Sequence, residues 1–198
     1  MAPSKKLGVF CLEGPWSSVL TDDSSVRPLL EVLERRGLIR FAHRDAITIG
    51  EFERYLLQWT QSQYRNLKVG YLAFHGEPGA VLVGRKQYSL DDLQDLLKGR
   101  LSGRVLYFGS CATMRISRSR AQEFRRVTKA RAIVGYTQDI DWIESAAFDL
   151  NLLDAIGRFQ RIDASFKNLE RNHAGMVRHL GLRAVWNGGD LWTRIPSL

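Results

Sequence analysis

Val69-Gly-Tyr-Leu-Ala-Phe-His-Gly76 and Arg104-Val-Leu-Tyr-Phe-Gly-Ser-Cys111 have the same form. Each is a short apolar run that stops at small residues and at one side chain able to do chemistry. Runs of this length, rich in aromatic and β-branched residues and bounded by glycine, read as strands buried on both faces. Leu7 to Leu12, Leu38 to His43 and Arg131 to Tyr136 read the same way. Between them lie stretches of helical period. Val26 to Arg36 carries Leu29, Leu30 and Leu33, with Ser24 or Ser25 as cap and Gly37 as stop. Thr48-Ile-Gly-Glu51 fits a capping box ahead of Phe52, Leu56 and Trp59. Ala80 to Val83 and Lys86 to Tyr88 form a hairpin pattern across Gly84-Arg85, and Ser89 then caps a helix to Leu97. A basic helix follows Cys111. Trp142 to Phe159 is a long amphipathic helix, with Ile143, Ala147, Leu150, Leu153 and Ile156 on its expected inner face. A further helix spans Ala164 to His179, and Leu182 to Trp186 with Leu191 to Ile195 reads as a last hairpin across Asn187-Gly188-Gly189.

Alternating strands and helices imply an α/β fold with a mostly parallel central sheet and helices on both faces. The 198 residues suffice for one domain with a substantial core, expected to run from 1 to 198. Hydrophobic residues are 44% and charged residues 25%, which argues against intrinsic disorder. No apolar stretch is long enough to span a bilayer, and Leu7 to Leu12 is too short for a secretory leader, so the expected compartment is the cytoplasm. A net charge of +8 bears on solubility and encounter with anionic partners, not on the fold. Cys11 and Cys111 cannot build a disulfide framework or a cysteine-rich zinc site. No His/Cys/carboxylate cluster has metal-ligand spacing, and no glycine-rich phosphate loop is present, so neither metal nor cofactor is expected.

In open α/β sheets the chemistry sits at the carboxyl ends of strands. That rule selects Glu13, His75-Gly76, Cys111 and the stretch from Thr137 to Asp141. A thiol and an imidazole on one rim are the parts of a cysteine nucleophile with its general acid/base. Cys111 precedes the basic helix, whose positive end would favour the thiolate. Gly76 has no side chain, so its backbone N–H can approach a substrate oxygen. Together with the Cys111 N–H it would form an oxyanion hole.

An apolar strand ending in His-Gly, then a second ending in a small residue and Cys, resembles the caspase-like cysteine peptidases, the group of caspases, metacaspases, gingipains and separase. Val105 to Met114 is similar to the cysteine segment of bacterial CHAT domains, and Ala132 to Trp142 is similar to their next strand and turn. Gly109-Ser110 stands where Ser-Ala is usual, Ala112 where Glu is usual and Met114 where Gly is usual. The resemblance implies a three-layer caspase-like fold and a cysteine endopeptidase. Cys111 would attack the scissile carbonyl, His75 would protonate the leaving amine, and Gly76 would hold the oxyanion. In relatives that cut after arginine or lysine, acidic side chains from the first strand end and from the turn after the fifth strand read the basic residue. Those positions hold Glu13 and Asp139 or Asp141. The resemblance also implies a protein substrate, control by a protein partner or ligand, and a role in bacterial defence or cell death.

Plainer readings stand beside these. Asp141-Trp-Ile-Glu144 fits a helix cap, which alone would explain Asp141. Glu13 fits a solvated loop, and Cys11 a small core hydrophobe. Arg115 to Arg131 carries Arg118, Arg120, Arg125 and Arg126 with Glu123 as the only acid. It reads as a solvated helix face, as a docking surface for an acidic protein or, indirectly, nucleic acid, or as a site of self-cleavage. A non-catalytic α/β binding module using that surface is therefore the alternative function.

Overall fold

The computed structural model describes residues 6–193. Five parallel strands form its centre: β1 (Leu7–Glu13), β2 (Ile39–Asp45), β3 (Val69–Ala73), β7 (Val105–Gly109) and β8 (Ala132–Gly135). β9 (Arg183–Trp186) and β10 (Gly189–Trp192) extend the sheet antiparallel, giving the order β10-β9-β8-β7-β3-β1-β2. The chain steps from β1 outward to β2 and then returns to β3 on the other side. The order therefore reverses between β1 and β3, where sheets of this class leave a crevice at their carboxyl ends.

Alternation along each strand divides the core. Cys11, Tyr71, Tyr107 and Val134 face one side, covered by α1 (Arg27–Arg35), α5 (Trp142–Arg158), α6 (Ile162–Asn172) and α7 (Ala174–His179). Leu12, Leu72, Phe108 and Ile133 face the other, covered by α2 (Ile49–Thr60), α3 (Leu90–Leu97) and α4 (Arg118–Thr128). The fold is thus α/β in three layers, as the alternation implied. Thr48 and Glu51 form their capping box, and Ser89 caps α3 through the Asp92 N–H. Cys11 is fully buried, a core residue.

Several boundaries differ from the sequence reading. The third strand ends at Ala73; His75–Glu77 is a separate strand, β4, paired with β5 (Ala80–Val83) and through it with β6 (Lys86–Ser89) in a small antiparallel sheet. Phe74 fills the core beside Phe52 and turns the chain between the two sheets. The N-cap of α1 is Val26, which makes no side-chain cap; Ser25 stands one residue earlier, its hydroxyl donating to Glu13 and accepting from the Arg27 N–H at 3.1 Å. The expected helix from Ala164 to His179 breaks at His173, beside Asn172 and Gly175, both weak helix formers. Ile143 and Ala147 face outward on α5, whose inner face is Ala146, Phe148, Asp149, Leu152, Leu153 and Ile156. The last hairpin turns at Asn187-Gly188, with φ +87° at Gly188, and Ile195 lies outside the described residues. Among the described residues no helix is long and apolar enough to cross a membrane.

Candidate active site

β3 and β7 are neighbours with Ala73 opposite Gly109. His75 and Cys111 each lie two residues beyond those paired positions, so register alone brings them to the same rim. Gly76 fixes the approach. A Cβ there would overlap the Cys111 carbonyl oxygen and the Thr113 hydroxyl, so the chain after His75 runs directly against the cysteine loop. The loop is stapled to the small sheet as well. Thr113 Oγ1 donates to the Ala80 carbonyl at 2.9 Å and pairs with Ser110 Oγ at 2.7 Å. His75 and Cys111 open onto one cavity of about 170 Å³, walled also by Trp16, Val26, Leu29, Ile140, Trp142 and Ala146. It lies at the reversal between β1 and β3.

His75 Nε2 donates to the Trp16 carbonyl at 2.8 Å, and the indole edge meets the imidazole with centroids 5.3 Å apart. A carbonyl only accepts, so Nε2 carries the proton and Nδ1 is left for chemistry. Trp16 is itself held by Glu13, which takes its indole N–H at 2.5 Å. Glu13 also accepts from Val26 N at 2.8 Å and Ser25 Oγ at 2.7 Å, and pairs with His43 Nε2 at 2.6 Å. Burial would raise the Glu13 pKa, but these hydrogen bonds, that to His43 first, hold it below the usual carboxylate value. All four lone-pair positions are spent, so Glu13 anchors the loop that orients His75 and does not reach the cavity. No motif signals this role, because the donors come from residues scattered between Trp16 and His43.

Cys111 lies in a turn, not at a helix start. α4 begins at Arg118 under its own cap, Ser117, so the helix-end effect expected for the thiol is absent. Instead the Ile140 N–H points at Sγ across 3.4 Å. Ala112, next in the chain, has φ 53°, and its N–H donates to the Gln138 carbonyl at 3.0 Å. Left-handed backbone is unusual for alanine, and here it turns the cysteine out at the rim.

Asp139 and Asp141 are exposed and outside the cavity wall. Asp141 Oδ1 caps α5 through the Ile143 and Glu144 N–H groups at 2.8 and 3.1 Å, so the helix-cap reading accounts for it. The acid that does reach the cavity is Asp149, on the inner face of α5 and 3% exposed. Tyr107 and Tyr136 both donate to its Oδ1, the latter at 2.6 Å, and Tyr71 donates to its Oδ2. Burial pushes its pKa up to about 6 against the pull of these hydroxyls. The three tyrosines are pushed upward, first by burial and then by the neighbouring carboxylate. Asp149 drew no attention in the sequence because a lone acid on an apolar helix face carries no motif. A tyrosine on or just past each of three neighbouring strands was the available sign of a buried acceptor.

The basic segment is partly neutralised. Arg118 forms a bidentate pair with Asp190, and Arg120 pairs with Asp91 and Gln94. Arg125 donates to the Ala130 carbonyl at 3.3 Å, and Arg126 is exposed. Arg183 clamps the segment after the cysteine, donating to the carbonyls of Met114 and Ile116 at 3.1 and 2.9 Å while stacking on Trp192. Among the described residues, Glu13, His43 and Asp45 bring potential metal ligands within 4.8 Å. The Glu13 oxygens are already filled, so this group is a hydrogen-bonded pair with an exposed aspartate beside it.

Similarity to solved structures lies in the fold. Caspase-1 from Spodoptera frugiperda superposes with a TM-score of 0.53 at 13% identity, over 85% of this chain and 78% of that one. A secreted C11 cysteine protease from Bacteroides thetaiotaomicron, in complex with an irreversible peptide inhibitor, gives 0.54 at 10% identity. That match covers 91% of this chain but only 66% of the protease. These likenesses establish the three-layer, caspase-like architecture. No curated protein matches the chain. A family model does match, over residues 6–186, and the chain accordingly belongs to the family of unknown function DUF6642.

Proposed function

We propose that this chain is a cysteine endopeptidase with His75 and Cys111 as its dyad, cutting a protein after a basic residue. The observation that carries the reading is the placement of these two side chains. They stand at register-matched positions past neighbouring parallel strands, on one cavity, with His75 Nε2 held by the Trp16 carbonyl. In this mechanism Nδ1 takes the thiol proton and Sγ attacks the scissile carbonyl carbon. The C–N bond then breaks as Nδ1–H protonates the departing amine, leaving a thioester on Cys111. Water, deprotonated by Nδ1, attacks the thioester and restores the thiol. The Gly76 and Cys111 N–H groups are the proposed oxyanion donors. Control by a protein partner or ligand belongs to the same proposal.

The test is a peptide library varied at the residue before the cut, read by mass spectrometry, with Cys111→Ala as control. Cutting after arginine or lysine, lost in the variant, is expected. Silence in the presence of cell extract as well as alone overturns the peptidase. The binding-module alternative then applies, and charge reversal at Arg125 and Arg126 would abolish its partner binding. The ion pairs of Arg118 and Arg120 already reduce the charge available to that reading.

A further inference from the structure

A buried carboxylate normally has a cationic partner. Among the described residues no lysine, arginine or histidine pairs with Asp149. Its partners are the hydroxyls of Tyr71, Tyr107 and Tyr136, which solvate a negative charge without cancelling it. Two of these donors fall on Oδ1 and one on Oδ2, so Oδ2 keeps a free acceptor position. Asp149 shares its cavity with His75 and Cys111. The side walls are Val26, Leu29 and Ala146, which suit the methylene stem of a long side chain. Gly109 forms part of the same wall. A Cβ there would overlap the Tyr71 ring, so the strand lies flush against the tyrosine whose hydroxyl reaches Asp149.

We propose that Asp149 is the counter-charge of the cleft, receiving the guanidinium or ammonium group of a ligand whose aliphatic stem lies between Val26, Leu29 and Ala146. This deepens the peptidase reading and rests on it for the identity of the ligand, the arginine or lysine side chain before the cut. It moves the task of reading charge from Glu13, Asp139 and Asp141 to a helix residue behind the strands. Glu13 cannot do it with its lone pairs filled, and the two turn aspartates stand outside the cavity wall.

The test needs no peptidase turnover. Alkylation of Cys111 by iodoacetamide is followed by mass spectrometry in the presence of n-butylguanidine or of its uncharged isostere n-butylurea. Cys11 is fully buried and serves as an internal control. n-Butylguanidine is expected to slow alkylation several-fold more than n-butylurea. Asp149→Asn is expected to erase the difference, while Tyr71→Phe, which keeps the carboxylate, retains it. Should Asp149→Asn fail to fold, Leu29→Arg, on the partly exposed wall, supplies an internal guanidinium and is expected to erase the difference too. Equal protection by the two compounds in the wild-type protein overturns the proposal, as does a preference that survives in the folded variant. A silent peptide library with guanidine-selective protection intact brings down the peptidase alone.

Discussion

The two faces of the central sheet are made by the same strands and differ in kind. On the α2–α3–α4 face, Leu72 and Phe108 meet Phe52, Trp59, Phe74 and Phe124. On the α1–α5–α6 face, Tyr71 and Tyr107 alternate with them and turn their hydroxyls to Asp149. One face is an aromatic core that buries no carboxylate among the described residues. The other buries a charge and surrounds it with donors, and the cavity opens on that side. A buried acid costs free energy unless hydrogen-bonded, so a fold that keeps one beside its cleft keeps it at some expense in stability.

The largest effect that sharpens this contrast is expected on the dry face. Phe124→Ala, at a fully buried site packed on Phe108, should cost about 3–5 kcal/mol in denaturant unfolding. Under the proposed peptidase function, cleavage per folded molecule should be unchanged, because no residue of the cleft is touched. An effect confined to activity would break the comparison.

Next in size is a pH effect on the polar face. Asp149 has its pKa raised from 3.8 to about 6, so the folded state binds its proton more tightly than the unfolded chain does. That contribution is present below about pH 4 and is lost as pH rises through 6. Relative to Asp149→Asn, the wild-type protein should therefore lose roughly 3 kcal/mol of stability across that window. Glu13, whose pKa is lowered, acts oppositely: its contribution is present above the usual carboxylate range and lost as pH falls. Urea midpoints of wild type, Asp149→Asn and Glu13→Gln at several pH values separate the two. Parallel curves for wild type and Asp149→Asn would refute the buried charge.

Tyr107→Phe comes third. It removes a donor to Asp149 while keeping the ring stacked on Tyr71. About 2 kcal/mol is expected, as for a hydrogen bond to a charged group. The smallest effect is Arg126→Glu, on the exposed side of α4, with a Tm change equivalent to about 0.5 kcal/mol or less.

The parts legible in the sequence were those set by local chemistry. Thr48 and Glu51 declared their box, Gly84 and Arg85 their turn, and the apolar runs their parallel strands. His75 and Cys111 were selectable together because each ends an apolar run and the two runs resemble a known pattern; that β3 and β7 are neighbours comes from the structure. What stayed hidden depends on partners far along the chain. His75 joins β5 across a second sheet, Glu13 collects donors from Trp16 to His43, and Asp149 gathers tyrosines from three strands. Periodicity places a residue on a face but does not say which hydroxyls await it there.

The Arg183 clamp bears on how the molecule is made. The carbonyls it grips, those of Met114 and Ile116, leave the ribosome well before Arg183 does. A nascent chain can pair β1, β3 and β7 while the segment after the cysteine still lacks its guanidinium. The loop that carries Cys111 is locked only when the closing strands dock. Vectorial synthesis thus leaves the loop around Cys111 unclamped until a guanidinium 69 residues beyond Met114 has been made.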